Sequence, residues 1–171
     1  MVSTSSQQQW VIDPRGCPND TPQGACAESR GDTFNYNSST TFDFIGLYKL
    51  WMQENLGRVG NANYGYDSVT LGYEGEGGPT LQNQTIGVLA TPEFYFGHFG
   101  INPKPTNFTT NFEPASPSFM ASLRDQGLIP SVSWGYTAGV PYRKFSTSHN
   151  VQLACGVLTM AAMNRFCKCT R

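Results

Sequence analysis

The sequence predicts a mostly β fold with one short helix near residues 117–126. Three observations carry that expectation. Turn formers are abundant, with Gly 18 and Pro 11 among 171 residues, a share above the usual ~12% for these two. Residues 64–72 (YGYDSVTLG) alternate with period two, placing Tyr66, Ser68 and Thr70 on one face and Asp67, Val69 and Leu71 on the other. Helix punctuation occurs at one place: Ser116-Pro117 offers an N-cap and a first-turn proline, Phe119, Met120 and Leu123 share a face, and Gly127 follows as a stop.

The remaining elements follow from local composition. Residues 9–12 (QWVI) form a short apolar strand that ends at the turn-forming Asp13-Pro14-Arg15-Gly16. Residues 17–33 form a loop between two cysteines. Residues 33–43 carry Phe34, Tyr36 and Phe42 among Asn, Ser and Thr, as turn and edge structure. Residues 46–52 are strand-like. A hairpin turn at 75–79 leads into a strand over 80–90, and strand character returns at 128–129 and 132–136.

Composition excludes several function classes. Lys+Arg is 11 and Asp+Glu is 12, so the chain lacks the basic excess that a nucleic-acid binder needs. No apolar run approaches the ~18 residues of a membrane span. Residues 2–9 (VSTSSQQQ) are polar and lack the regions of an export signal. With 39% hydrophobic residues, the chain can build a core. Cysteine is odd in number, at 5. Cys17 and Cys26 can close a short disulfide loop. Cys155, Cys167 and Cys169 crowd the end near His149. Their Cys-x-Cys spacing is not that of a structural zinc site, so no metal and no cofactor is expected.

Several segments, taken in order, resemble the N-terminal lobe of a pepsin-like aspartic peptidase of the secreted fungal branch. They are VSTSSQQQWVIDPRGC at 2–17, the Cys17…Cys26 loop followed by DTFN at 32–35 and NSST at 37–40, and GYDSVTLG at 65–72. Phe119…Leu123…QGLI up to Ile129 continues the series, with GGPTLQNQ, NPKPTNFT and LIPSVSWGYTAGVPYR. The resemblance covers about residues 2–143. It implies an incomplete pepsin-like lobe of twisted antiparallel sheets over 1–144, with a Cys17–Cys26 disulfide. It also implies a peptide or protein substrate and an extracellular or secretory location, although no signal peptide stands in this chain.

Aspartic proteolysis requires two carboxylates that share one proton. In this chain Ser3 stands where the family's first aspartate belongs, followed by Thr4, and Ser5 stands where its glycine belongs. A serine hydroxyl carries no charge and is no general base near neutral pH. The second lobe, which would carry the other aspartate, is not expected in this chain. No catalytic residue is therefore assigned, and the chain is expected to be an inactive fragment or pseudo-peptidase. The family's flap tyrosine is matched by Leu56, beside Gly57, which can cover a site but cannot donate a hydrogen bond. Asp13 and Asp67 are expected to be structural, and neither His98 nor His149 is linked to Ser3 as a triad base.

Four Asn-x-Ser/Thr sequons, at Asn19, Asn37, Asn83 and Asn107, fit a glycosylated exported surface. An alternative reading is a secreted peptide- or glycan-binding module. It would use a half-cleft of Trp10, Tyr48, Trp51, Phe94 and Tyr95, although Trp10 is expected first as core. Exposed sheet edges would favour self-association.

Residues 145–171 differ from the body. They hold one glycine, Gly156, no proline and no acid. This tail is expected to be a frame-shifted or intron-derived reading. Met160-Ala161-Ala162-Met163-Asn164 requires ATG-GCN-GCN-ATG-AAY, and a start two bases later reads GGC-NGC-NAT-GAA, compatible with the Gly-Gly-Tyr-Glu that the family places after a Gly-x-Pro-Tyr-Arg segment.

Overall fold

The computed structural model describes residues 2–22, 24–50, 60–72, 77–108, 115–137 and 157–160. They form strands β1 (Val2–Ser3), β2 (Gln9–Ile12), β3 (Asp43–Leu50), β4 (Gly60–Thr70), β5 (Thr80–Leu89), β6 (His98–Gly100), β7 (Trp134–Thr137) and β8 (Val157–Met160). Two α-helices, α1 (Ala25–Ser29) and α2 (Phe119–Asp125), complete the regular structure. The chain is mostly β, as expected. Six strands make one mixed sheet in the order β1-β6-β2-β5-β4-β3, and β7 pairs with β8.

The sheet is not antiparallel throughout, which corrects the sequence expectation. The hairpins β3–β4 and β4–β5 are antiparallel, but β1 runs parallel to β6 and β2 parallel to β5. A parallel pair needs a long crossover. Residues 13–79, which include β3 and β4, supply it between β2 and β5. Period-two alternation reports which face is buried and carries no information on strand direction.

On β4 the predicted alternation holds: Asp67 and the following Leu71 are buried, while Thr70 is exposed. β3 starts at Asp43 rather than at Gly46. Its register against β4 shifts between Phe44 and Gly46, so Ile45 is an extra residue and packs against the core. A second shift on the β4–β5 hairpin leaves Asn83 as the extra residue on β5, at φ 56. Asn tolerates this left-handed conformation better than most residues. Of the predicted 75–79 turn, residues 75 and 76 lie outside the described residues.

The core has two parts. Trp10, Ile12, Leu50, Ala62, Tyr64 and Leu89 gather with Phe94 and Phe108 around the middle of the sheet. Leu71, Leu81, Ile101 and Ile129 gather around Phe119, Met120 and Leu123 of α2. That helix starts two residues later than predicted. Its N-cap is Ser118, whose hydroxyl accepts from the Ala121 N–H at 3.2 Å. Ser116 is occupied elsewhere, with its backbone bridging Thr106 and its hydroxyl bonded to Thr85. Gly127, at φ 71, ends the helix as predicted: the Gly127 N–H reaches the Arg124 carbonyl and the Leu128 N–H reaches the Leu123 carbonyl, both at 2.9 Å. The Gln126 amide then clamps β5, accepting from the Gln82 N–H at 3.0 Å and donating to the Gln82 carbonyl at 2.8 Å.

Within residues 17–33 the sequence reading saw only a loop. The structure places α1 there, too short and too poor in periodic apolar residues to be read. Cys17 and Cys26 are joined by the expected disulfide. Arg30 follows α1 directly and is 3% exposed. Its guanidinium donates to the carbonyls of Gly16 (2.8 Å), Thr91 (2.9 Å), Phe94 (2.7 Å) and Tyr95 (2.9 Å). Burial lowers its pKa.

β8 lies beyond residue 144, the expected limit of the lobe, and pairs with β7 from Trp134↔Met160 to Thr137↔Val157. The rest of the 145–171 tail lies outside the described residues.

Arg30→Lys keeps the charge but loses the planar fork that reaches four carbonyls at once. Each buried acceptor left without a donor costs about 1–3 kcal/mol. Urea denaturation should show a loss of at least about 2 kcal/mol. A loss under about 0.5 kcal/mol would show that water replaces the guanidinium.

Candidate functional site

Ser3, the last residue of β1, leads through Thr4 and Ser5 into the connection to β2. These two strands are not neighbours: β6 is inserted between them. Residues 4–8 must therefore cross over the C-terminal end of β6, and the chain there is tightly stitched. The Gly100 N–H donates to the Gln8 carbonyl at 3.1 Å, Ile101 N–H to the Ser3 carbonyl at 2.9 Å, and Asn102 N–H to the Ser6 carbonyl at 3.0 Å. The Gln9 side chain closes a further pair with Gly100, donating to its carbonyl at 2.6 Å and accepting its N–H at 3.2 Å. The Asn102 amide donates to the Thr4 carbonyl at 3.3 Å.

Glycine is required at position 100. A Cβ there would sit 2.5 Å from the Ser6 carbonyl oxygen and 2.6 Å from that of Gln8, both backbone atoms that cannot yield. No signal in 97–102 marks this anchor beyond Gly100 at the end of a three-residue strand and Gly97 just before it.

Where the chain leaves β1 the Ser3 and Ser5 hydroxyls are 3.0 Å apart and hydrogen-bonded, Ser3 half-buried and Ser5 exposed. Thr4 is exposed, and Ser6 is buried, its hydroxyl accepting the Gln8 N–H at 3.1 Å. Ser5 has no positive φ; among the described non-glycine residues only Asp32 and Asn83 do. Serine at position 5 is thus accommodated without backbone strain. The pair offers two neutral hydroxyls and no charge. Among the described residues neither hydroxyl meets a carboxylate or an imidazole.

Asp13, Asp67 and His98 are committed elsewhere. Asp13 is fully buried and caps the turn at 14–16, accepting from the Arg15 N–H at 2.8 Å and pairing with its guanidinium at 2.6 Å. Asp67 is buried and accepts from the Ser39 hydroxyl at 3.3 Å, the Thr41 hydroxyl and the Ser68 N–H at 2.7 Å. His98 lies on β6, 5% exposed, and stacks on Trp10 with ring centres 3.9 Å apart and planes 8° apart. Neither ring nitrogen has a hydrogen-bond partner among the described residues. Burial lowers its pKa to about 4. It is a neutral packing element under the loop and does not reach Ser3. Burial likewise pushes the Tyr64 phenol well above its usual range. His149 lies outside the described residues.

The aromatic half-cleft is not assembled as a surface. Trp10 and Phe94 are each 2% exposed and pack edge to face at 5.9 Å. Tyr48 is half-buried against Tyr64 and Phe108. Tyr95 is exposed, beside Phe96. Trp51 and the flap pair Leu56 and Gly57 lie outside the described residues. The four sequon asparagines, Asn19, Asn37, Asn83 and Asn107, are all exposed. No group of three or more His, Cys, Asp or Glu side chains is placed to hold a metal among the described residues. No described helix is long and apolar enough to cross a membrane.

No family model and no curated protein matches this chain.

Two measurements check this account. Gly100→Ala should destabilise by about 1–3 kcal/mol, the usual cost of overpacking, and broaden the NMR resonances of residues 3–8. A neutral result would remove Gly100 as the anchor. Stability should also depend on pH through His98. Its folded pKa of about 4 lies below the ordinary 6.5, so the unfolded chain binds the proton first. The contribution is whole above pH 6.5 and is lost as pH falls towards 4, at up to about 1.4 kcal/mol per pH unit. His98→Phe, which keeps a ring on Trp10, should flatten that slope, and an unchanged slope would assign it to another group.

Proposed function

We propose that this chain is a pepsin-like aspartic-peptidase lobe that has lost catalysis, a pseudo-peptidase of an exported protein. The observation that carries the reading is the paired Ser3 and Ser5 hydroxyls at the start of a loop anchored over β6, in the order apolar residue, Ser3, Thr4, Ser5. The position that would need a carboxylate holds a neutral hydroxyl whose partner is another neutral hydroxyl. Nothing in that pair activates water or protonates a peptide carbonyl. The Cys17–Cys26 disulfide and the exposed sequons suit an oxidising, glycosylating compartment. Self-association through the edge strand β3, where Leu47 is 58% exposed, belongs to the same reading.

A binding module is the second reading. Tyr95 and Phe96 favour it, being adjacent, exposed and in edge-to-face contact at 4.9 Å. Arg30 and Trp10 hold their carbonyls from beneath, which fixes the pair in place. Titration with extended peptides and a glycan panel separates the two readings.

Ser3→Asp tests the first reading. It returns one carboxylate, with no second one beside it among the described residues to share a proton. Against a quenched fluorescent peptide at pH 3 to 5, neither wild type nor variant should show turnover sensitive to a pepstatin-type inhibitor. Such turnover from wild type would overturn the pseudo-peptidase reading. Turnover of the variant that rises with the square of concentration would show that two copies complete a site.

A further inference from the structure

Of the four sequons, Asn37 has a setting that the others lack. It lies in the short 3-10 turn Tyr36–Ser38, exposed, with its N–H held by the Asn35 side chain at 3.1 Å. The turn sits in a surface aromatic cluster. Tyr36 contacts Phe42 at 5.2 Å and stacks near-parallel on Phe44 at 6.5 Å, and Phe34 meets Phe42 at 6.2 Å. The Arg15 guanidinium lies over the Tyr36 ring at 5.1 Å. Phe44, on the edge strand, is 53% exposed. Phe34, Tyr36 and Phe42 are half-buried, so the cluster presents the Phe44 ring and the edges of its neighbours to solvent. Asn83 contrasts sharply: it is the left-handed residue of a bulge, and its sequon's Thr85 is buried and bonded to Ser116.

We infer that Asn37 carries an N-linked glycan whose first sugar rests on the Tyr36–Phe44 cluster. The inference rests on the export reading above. The donor is a lipid-linked oligosaccharide diphosphate. The Asn37 side-chain nitrogen bonds to C1 of the first sugar, the C1–O bond to the diphosphate breaks, the diphosphate leaves with that electron pair, and the amide loses one proton. The sequon hydroxyl of Ser39 is engaged in the finished fold, accepting from the Thr41 and Phe42 N–H groups and donating to Asp67. Transfer therefore precedes the docking of β4, which brings Asp67. Afterwards the apolar face of the sugar covers ring surface that the protein alone leaves in water.

The test is expression of the full chain behind a cleavable export leader in a yeast. Released glycans are removed with peptide N-glycosidase in 18O water, and modified asparagines are mapped by mass spectrometry. Asn37 should be labelled. Removal of the glycan should lower Tm by roughly 2–4 °C, and Asn37→Gln should show the same drop. In Phe44→Ala, or in Phe44→Leu should the alanine variant fail to fold, glycan removal should leave Tm unchanged. An unlabelled Asn37 overturns the inference, as does a Tm drop that is independent of Phe44. The leader delivers the chain to the glycosylating lumen whatever its native address, so these outcomes judge Asn37 alone. Absence of glycan from the chain in its native host, with Asn37 labelled in yeast, would instead defeat the export reading.

Discussion

The insertion of β6 between β1 and β2 is the constraint on which the candidate site depends. Two strands joined by only five residues, 4–8, are held apart by the width of a third strand. That short connection can bridge the gap only by lying directly on the backbone beneath it, which demands a residue without a side chain at Gly100. Hydrogen bonds from residues 100–102 then fix the carbonyls of Ser3, Ser6 and Gln8. The hydroxyls of Ser3 and Ser5 are thus displayed by a rigid support, although the pair itself has no charge to deploy.

A second anchor holds the opposite side of β2. Asp13 turns the chain out of the sheet, the Cys17–Cys26 bridge draws α1 back, and Arg30 binds four carbonyls from two distant segments. A buried guanidinium that meets no carboxylate among the described residues is unusual, but the four carbonyl dipoles it engages offset much of its desolvation. Through the Phe94 and Tyr95 carbonyls this anchor reaches the segment that packs Phe94 on Trp10. The two halves of the arrangement therefore meet at Trp10.

Much of the local structure was legible in the sequence. The alternation through Asp67 and Leu71, the stop at Gly127 and the turn at Asp13 depend on nearest neighbours, and such signals survive folding. The parallel pairing of β2 with β5 and the crossing over Gly100 were not legible, because they depend on segments 77 to 98 residues apart that nothing local specifies. The N-cap moved from Ser116 to Ser118 for the same reason: distant Thr85 and Thr106 claimed the first serine. Of the candidate site, residue order in the 2–11 stretch suggested the loop. What holds it, the Gly100 and Asn102 stitching and the buried His98, came from the fold.

The near-parallel stack of His98 on Trp10 has an optical consequence. A neutral imidazole against an indole leaves much of its fluorescence intact, whereas an imidazolium in van der Waals contact accepts charge from the excited ring and darkens it. Trp10 is buried, its indole N–H is tied to the Phe96 carbonyl, and His98 sits on the strand that supports the serine loop. The emission of Trp10, one of 3 tryptophans, thus carries a signal, without any attached dye, of whether the strand beneath the loop is still in place.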